Sequence, residues 1–169
     1  QFNDVNGVTE AIQRIGPRLA AVLLDAMPSR VGMPAIEQSF IEAIRTGTTD
    51  VGALLILDEV ISFRLALGGA QSLHNIEPDL TALAKIIGGG FPVGAIGGRA
   101  DVMDVFAAVK GNRAAVPSGG TFTANPITMT AGFACMEQLH RSSFERLDQI
   151  GPQVRQGLEA GFAKQSLNW

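Results

Sequence analysis

An α/β fold, a mixed and mostly parallel sheet flanked by helices, is what this sequence predicts, and two observations carry the expectation. Short continuous apolar runs of strand length, such as Leu54-Leu55-Ile56-Leu57, suit strands buried on both faces, as in parallel sheets under helices. Stretches with apolar residues three and four apart alternate with those runs, as strand–helix–strand units require. In such sheets, ligand chemistry collects at the strand ends and their loops.

The elements follow in order. A polar helix is expected over 6–15, with Asp4 or Asn6 as its cap and Gly16-Pro17 as its stop. The run 19–24 reads as a strand that ends in Asp25. After a loop over 28–34, Ile36, Phe40, Ile41 and Ile44 recur at helical spacing, and Thr46-Gly47 is expected to end that helix. A strand over 53–57 follows, then a loop over 62–77. Two short strands come next, one over 80–83 leading to Lys85 and one over 93–96 between Gly90 and Gly97-Gly98. Residues 100–109 read as a helix and 117–123 as a glycine-rich loop. Asn125 caps a further helix with Pro126 at its first position. The last stretch, 142–164, is amphipathic, with Phe144, Leu147, Ile150, Val154, Leu158 and Phe162 at spacings of three and four. No repeat, low-complexity tract or linker divides the chain, so one domain is expected. The chain opens on Gln1 and closes in what reads as mid-element, which suggests a piece of a longer protein.

Composition narrows the function classes. With 169 residues, 46% hydrophobic and 17% charged, the chain reads as a globular domain with a real core. A net charge of −3 gives no electrostatic case for nucleic acid. No apolar stretch is long enough to suggest a membrane span, and no secretory signal is visible at the start, so a cytoplasmic enzyme fits. The single cysteine, Cys135, excludes an internal disulfide framework and a thiolate metal cluster, and a buried core thiol is expected there. His74 and His140 read as solvated surface residues, and no metal site is expected.

Lys85 carries the chemistry. It ends the apolar run Leu80-Thr81-Ala82-Leu83-Ala84 and runs by way of Ile86-Ile87 into Gly88-Gly89-Gly90, where burial of an ammonium is costly unless it is paired or loses its proton. A lysine that deprotonates readily is what Schiff-base chemistry needs. Upstream, Leu54-Leu55-Ile56-Leu57-Asp58-Glu59 also places acids at a strand end. That run has the shape of a Walker B strand, yet the chain holds no G-x-x-x-x-G-K-[ST] loop, and Gly88-Gly89-Gly90-Phe91-Pro92-Val93 fails the dinucleotide fingerprint. Pyridoxal phosphate chemistry uses more of these residues together. It requires a lysine, an acid at the pyridinium nitrogen and donors for a phosphate. Asp58 is the expected acid. Val60, two residues on, would share its side of an extended strand and press on the ring, while Glu59 points away and is structural. Thr121, in Ser118-Gly119-Gly120-Thr121, offers a hydroxyl in a loop expected to hold positive φ angles, suited to a phosphate. An ordinary turn threonine is the other reading.

At these residues the sequence resembles the class III pyridoxal-phosphate aminotransferases, and within them the glutamate-1-semialdehyde 2,1-aminomutase group. The resemblance rests on the Asp58-Glu59-Val60 strand, Leu67-Gly68-Gly69-Ala70-Gln71, Pro78-Asp79-Leu80-Thr81, the segment from Lys85 to Gly98, and Gly120-Thr121-Phe122-Thr123-Ala124-Asn125-Pro126. It implies the fold-type I large domain for residues 1–169, with a cofactor-cup region before it and a small domain after it. Lys85 is then the aldimine lysine, Asp58 the pyridinium partner and Val60 the ring contact. Gly120 and Thr121 are implied to reach the phosphate of the other subunit's cofactor in a homodimer. An amino donor and a keto or aldehyde acceptor are the implied small-molecule partners. Where many members carry Glu-Pro and Gln, this chain has Asp25-Ala26 and Ile61, and its Ser62-Phe63-Arg64 loop is a residue shorter than in the aminomutase. A non-catalytic or incomplete cofactor-binding fragment, and a nucleotide-binding domain, are the alternatives.

Overall fold

The computed structural model describes residues 1–107 and 113–166. Helix α1, Val5–Ile15, starts at Asp4, whose carboxylate accepts the Gly7 N–H at 2.8 Å. Of the two expected caps, it is Asp4 that serves. Strand β1, Ala21–Asp25, then leads to α2, Gln38–Val51. That helix runs beyond the expected stop at Thr46-Gly47 and ends at Gly52, in the left-handed region at φ 74°. Two tertiary features carry it through. Thr48 is fully buried and its hydroxyl donates to the Ile44 carbonyl at 2.8 Å. Gly47 lets α1 approach, since a Cβ there would lie 3.1 Å from Ile12 Cδ1.

Strand β2, Leu54–Asp58, is followed by a 3₁₀ turn, Ser62–Leu65, and a short helix α3, Gly69–His74, inside the stretch expected to be loop. Strand β3, Leu80–Ala84, enters a 3₁₀ turn, Lys85–Gly88, and returns as β4, Gly94–Gly98. Helix α4 covers only Ala100–Met103 before a 3₁₀ turn, Asp104–Phe106. It is shorter than the helix expected over 100–109, whose last two residues lie outside the described ones. Helices α5, Pro126–Met136, and α6, Arg141–Lys164, complete the chain. Among the described residues no helix is long and apolar enough to cross a membrane.

The strands form one sheet in the order β1-β2-β3-β4. The first three are parallel and β4 is antiparallel to β3, so the sheet is mixed and mostly parallel, as expected. One face is sealed: Leu24, Leu55 and Leu57 pack under Phe40, Ile41 and Ile44 of α2. Each such side chain contributes roughly 1.5–3 kcal/mol by leaving water. The other face carries Leu23, Asp25, Ile56, Asp58 and Ala82 in register. Leu23 on that face is 66% exposed. The stripe of α6 also differs from a core helix. Phe144 is buried, but Leu147 and Val154 are more than half exposed.

A charged cluster that sequence reading did not single out fixes the start of β3. Asp79 is 4% exposed and accepts the Leu55 N–H at 2.7 Å, Arg99 at 2.7 Å and Arg45 at 3.0 Å. Burial pushes the Asp79 carboxyl up. The Leu55 amide and the two guanidinium groups outweigh it and hold the group below the usual carboxylate range. A depressed folded-state pKa adds stability above the unfolded value, near 3.9, and that stability is lost as pH falls through the folded value. In the full-length protein, Asp79→Asn is expected to cost about 2–3 kcal/mol at neutral pH. The gap to the parent should narrow below about pH 4. Urea unfolding midpoints across that range are the measurement.

Candidate active site

The C-terminal ends of the parallel strands build the site, because register sets them side by side. Asp25 of β1 is opposite Asp58 of β2, and Asp58 is opposite Ala82 of β3. Each Asp folds the chain beyond its strand in the same way. Asp25 Oδ1 accepts the Met27 N–H at 2.8 Å, and Asp58 Oδ1 accepts the Val60 N–H at 2.9 Å. This side-chain-to-backbone turn is the usual conformational role of aspartate after a strand. It ends β2 at Asp58, so Val60 belongs to the turn rather than to the extended strand expected of it.

Lys85 leaves β3 with φ 50°, in the left-handed region that a lysine occupies at a cost of roughly 1–2 kcal/mol. Its surroundings enforce this. Gly89 follows at φ 58°, and a Cβ there would collide with the Ala131 carbonyl of α5. A Cβ on Gly132 of α5 would collide with the Ile87 carbonyl. The turn that carries Lys85 is thus seated backbone to backbone on α5. Lys85 itself is exposed, in contrast to the buried ammonium expected from the apolar run. Its neighbours Ile86 and Ile87 are only half buried, so hydrophobic flanks did not translate into burial at the turn.

Two cavities, each of about 380 Å³, meet at Lys85. One holds Asp25, Arg30, Asp58, Val60, Ile61 and Lys85. The other shares Val60, Ile61 and Lys85 and adds Arg64, Phe91 and Cys135. Three of the expected site residues, Lys85, Asp58 and Val60, therefore converge. Cys135 is half buried on a cavity wall, not a core thiol, and His74 is half buried while His140 is exposed. Arg30, Arg64 and Asp25 enter the site from loops and a strand end. Asp25 was signalled by the apolar run that it ends and, like the loop of Arg64, by its departure from the family pattern, whereas Arg30 carried no signal in the sequence.

Gly120 and Thr121 stand apart. Both are exposed and line a different cavity, of about 1120 Å³, beside Thr128 and Phe133 of α5. Neither Gly119 nor Gly120 adopts the positive φ expected of that loop. The loop is closed instead by the Thr123 N–H to the Gly120 carbonyl at 3.0 Å.

Glu59 confirms a structural role. It is fully buried and accepts Ser62 Oγ at 2.6 Å, the Ala70 N–H at 3.0 Å and the Gln71 N–H at 2.9 Å. It holds the 3₁₀ turn and the start of α3 together against the end of β2.

The family model for class-III aminotransferases matches residues 3–167. The chain belongs to this family. The nucleotide-binding alternative falls with that match. The chain is 42% identical over 165 residues to a glutamate-1-semialdehyde 2,1-aminomutase of Pyrobaculum arsenaticum, covering 94% of this chain and 37% of the relative. Among solved structures it resembles an omega-transaminase from Sphaerobacter thermophilus, at 47% identity and a TM-score of 0.92 over 96% of this chain and 37% of that one. It also resembles a transaminase with pyridoxal phosphate bound, at 37% identity and a TM-score of 0.93 over 99% and 39%. The chain thus spans well under half the length of these relatives. With these neighbours the sheet is that of the fold-type I transferases.

The seat of the lysine turn yields a prediction for the full-length protein. Gly132→Ala is expected to destabilise it by about 1–3 kcal/mol, because a backbone carbonyl occupies the new Cβ position. Gly157→Ala in α6, where nothing lies within 4 Å, should instead stabilise by up to about 1 kcal/mol. Chemical denaturation of both variants reads the contrast.

Proposed function

We propose that the full-length protein is a cytoplasmic pyridoxal-phosphate enzyme that moves an amino group, as an aminotransferase or an aminomutase. The observation that carries this reading is the convergence of Lys85, Asp58 and Val60 on one cavity from separate strand ends. The residues fit the cofactor: a primary amine, a carboxylate fixed by the Val60 N–H, and an aliphatic surface beside them. Pyridoxal phosphate, when bound, withdraws electrons from the substrate carbon that bears the amine.

Each residue has a part in that chemistry. Lys85 would hold the cofactor through its amine and, as the free amine, would carry a proton to and from the substrate Cα. Its turn on α5 fixes where Nζ can reach. Asp58 would face the pyridine nitrogen and hold a proton there. Val60 would offer the ring an aliphatic surface. Gly120 and Thr121, displaced from Lys85 within this chain, serve the phosphate of a second copy's cofactor in a homodimer. The amino donor and the keto or aldehyde acceptor bind in turn at the Lys85 cavities. Residues 1–169 are the central part of the large domain in this reading.

Borohydride reduction followed by peptide mapping tests the assignment. The label is expected on Lys85, and Lys85→Ala should lose both label and turnover. Full activity in that variant would overturn the reading. Asp58→Asn should retain cofactor yet lower turnover about 10²–10³-fold, as when a preorganised charge partner is removed.

The dimer role of Thr121 is read separately. Thr121→Ala should weaken cofactor retention by about 1–3 kcal/mol, the scale of a hydrogen bond to a charged group. In a mixed dimer of Thr121→Ala and Lys85→Ala subunits, the lysine-bearing site meets an intact Thr121 across the interface. Equilibrium dialysis should show normal cofactor binding there. Weakened binding would mean that the loop serves its own subunit.

A further inference from the structure

The 3₁₀ turn Ser62–Leu65 places an arginine beside Lys85 that the proposed chemistry does not use. Arg64 lines the same cavity as Lys85, is exposed, and makes no ion pair or hydrogen bond among the described residues. Arg45 and Arg99, by contrast, are both engaged by Asp79. Its backbone is held firmly. Ser62 Oγ donates to the buried Glu59 carboxylate at 2.6 Å and the Phe63 N–H to the Glu59 carbonyl at 3.1 Å. The Glu59 N–H in turn donates to Ala82 of β3 at 2.9 Å, the strand that ends at Lys85. The turn bearing Arg64 and the strand leading into Lys85 are therefore pinned together by one residue.

Resting on the reading of Lys85 given above, we propose that Arg64 receives the carboxylate of the amino substrate, which makes this an enzyme for amino acids rather than simple amines. A single guanidinium offers two parallel N–H donors that match a carboxylate. Lys85 is committed to the cofactor, and no acidic residue lines this cavity. Arg30 is the weaker receptor, because its cavity also holds Asp25 and Asp58, which would repel an entering carboxylate. Ile61, Ile86 and Phe91 give the cavity that Arg64 and Lys85 share an apolar lining. The substrate is then an amino acid with an apolar substituent, its carboxylate at Arg64 and its amine at Lys85.

The test uses the full-length holoenzyme and matched donor pairs in which methyl replaces carboxylate, such as 3-amino-3-phenylpropanoate and 1-phenylpropylamine. The parent should discharge its bound cofactor faster with carboxylate-bearing donors. Arg64→Gln should reduce the preference for acid over amine about 10- to 100-fold, through KM rather than kcat, and Arg64→Lys should restore part of it. Calorimetric binding of 3-phenylpropanoate, which has the carboxylate and no amine, should weaken at least about tenfold in Arg64→Gln. An unchanged preference, or a parent that favours the methyl partners, overturns the proposal. So does loss of pyridoxal phosphate from Arg64→Gln on dialysis, which would assign the guanidinium to the cofactor's phosphate. The borohydride label separates the two readings. Its absence from Lys85 would end the cofactor assignment, whereas 3-phenylpropanoate binding would still report on Arg64.

Discussion

Burial of the Glu59 carboxylate is the constraint on which the site's geometry turns. A carboxyl inside a protein is expensive unless its oxygens are satisfied, and here a hydroxyl and two backbone amides satisfy them. No buried side-chain polar atom among the described residues lacks a partner. The same three bonds join the end of β2, the turn bearing Arg64 and the first residues of α3. Through its own N–H, Glu59 adds the tie to β3. Glu59 thus ties the strand that carries Asp58 to the strand that leads into Lys85.

Parallel register supplies the second constraint. In a parallel ladder neighbouring strands end on the same edge, so Asp25, Asp58 and the exit of β3 reach one rim. Antiparallel β4 then carries the chain back from that rim. The tight bend this needs falls on Lys85 and the glycines after it, two of which adopt positive φ. Strain at Lys85 is thus tied to topology: the chain reverses where the amine is wanted, and α5 braces the reversal through Gly89 and Gly132.

Local chemistry predicted much of this. Apolar runs marked β1, β2 and β3 because strands of a parallel sheet are rich in apolar residues, although only one face of this sheet is sealed among the described residues. Asn125 with Pro126 marked the start of α5, and the Asn125 side chain accepts the Thr128 N–H as a cap should. Helix α3 was hidden because its capping carboxylate, Glu59, lies eleven residues away from Ala70, beyond any local pattern. Helix α2 outran its apparent stop because Gly47 answers to Ile12 across a helix pair, a contact that propensity does not see.

By itself the sequence determined the strand–helix alternation, the identity of the lysine and acid at two strand ends, and the family to which they point. These are encoded in contiguous residues, where side-chain chemistry and spacing are read together. Tertiary structure alone decided that Lys85 is exposed in a left-handed turn, that Arg64 and Arg30 sit in separate cavities beside it, and that Asp79 gathers two arginines. It also set Gly120 and Thr121 away from the lysine of their own chain. Each of these depends on which segments pack against one another, and packing is fixed by shape and burial across the whole fold rather than by neighbours in the chain.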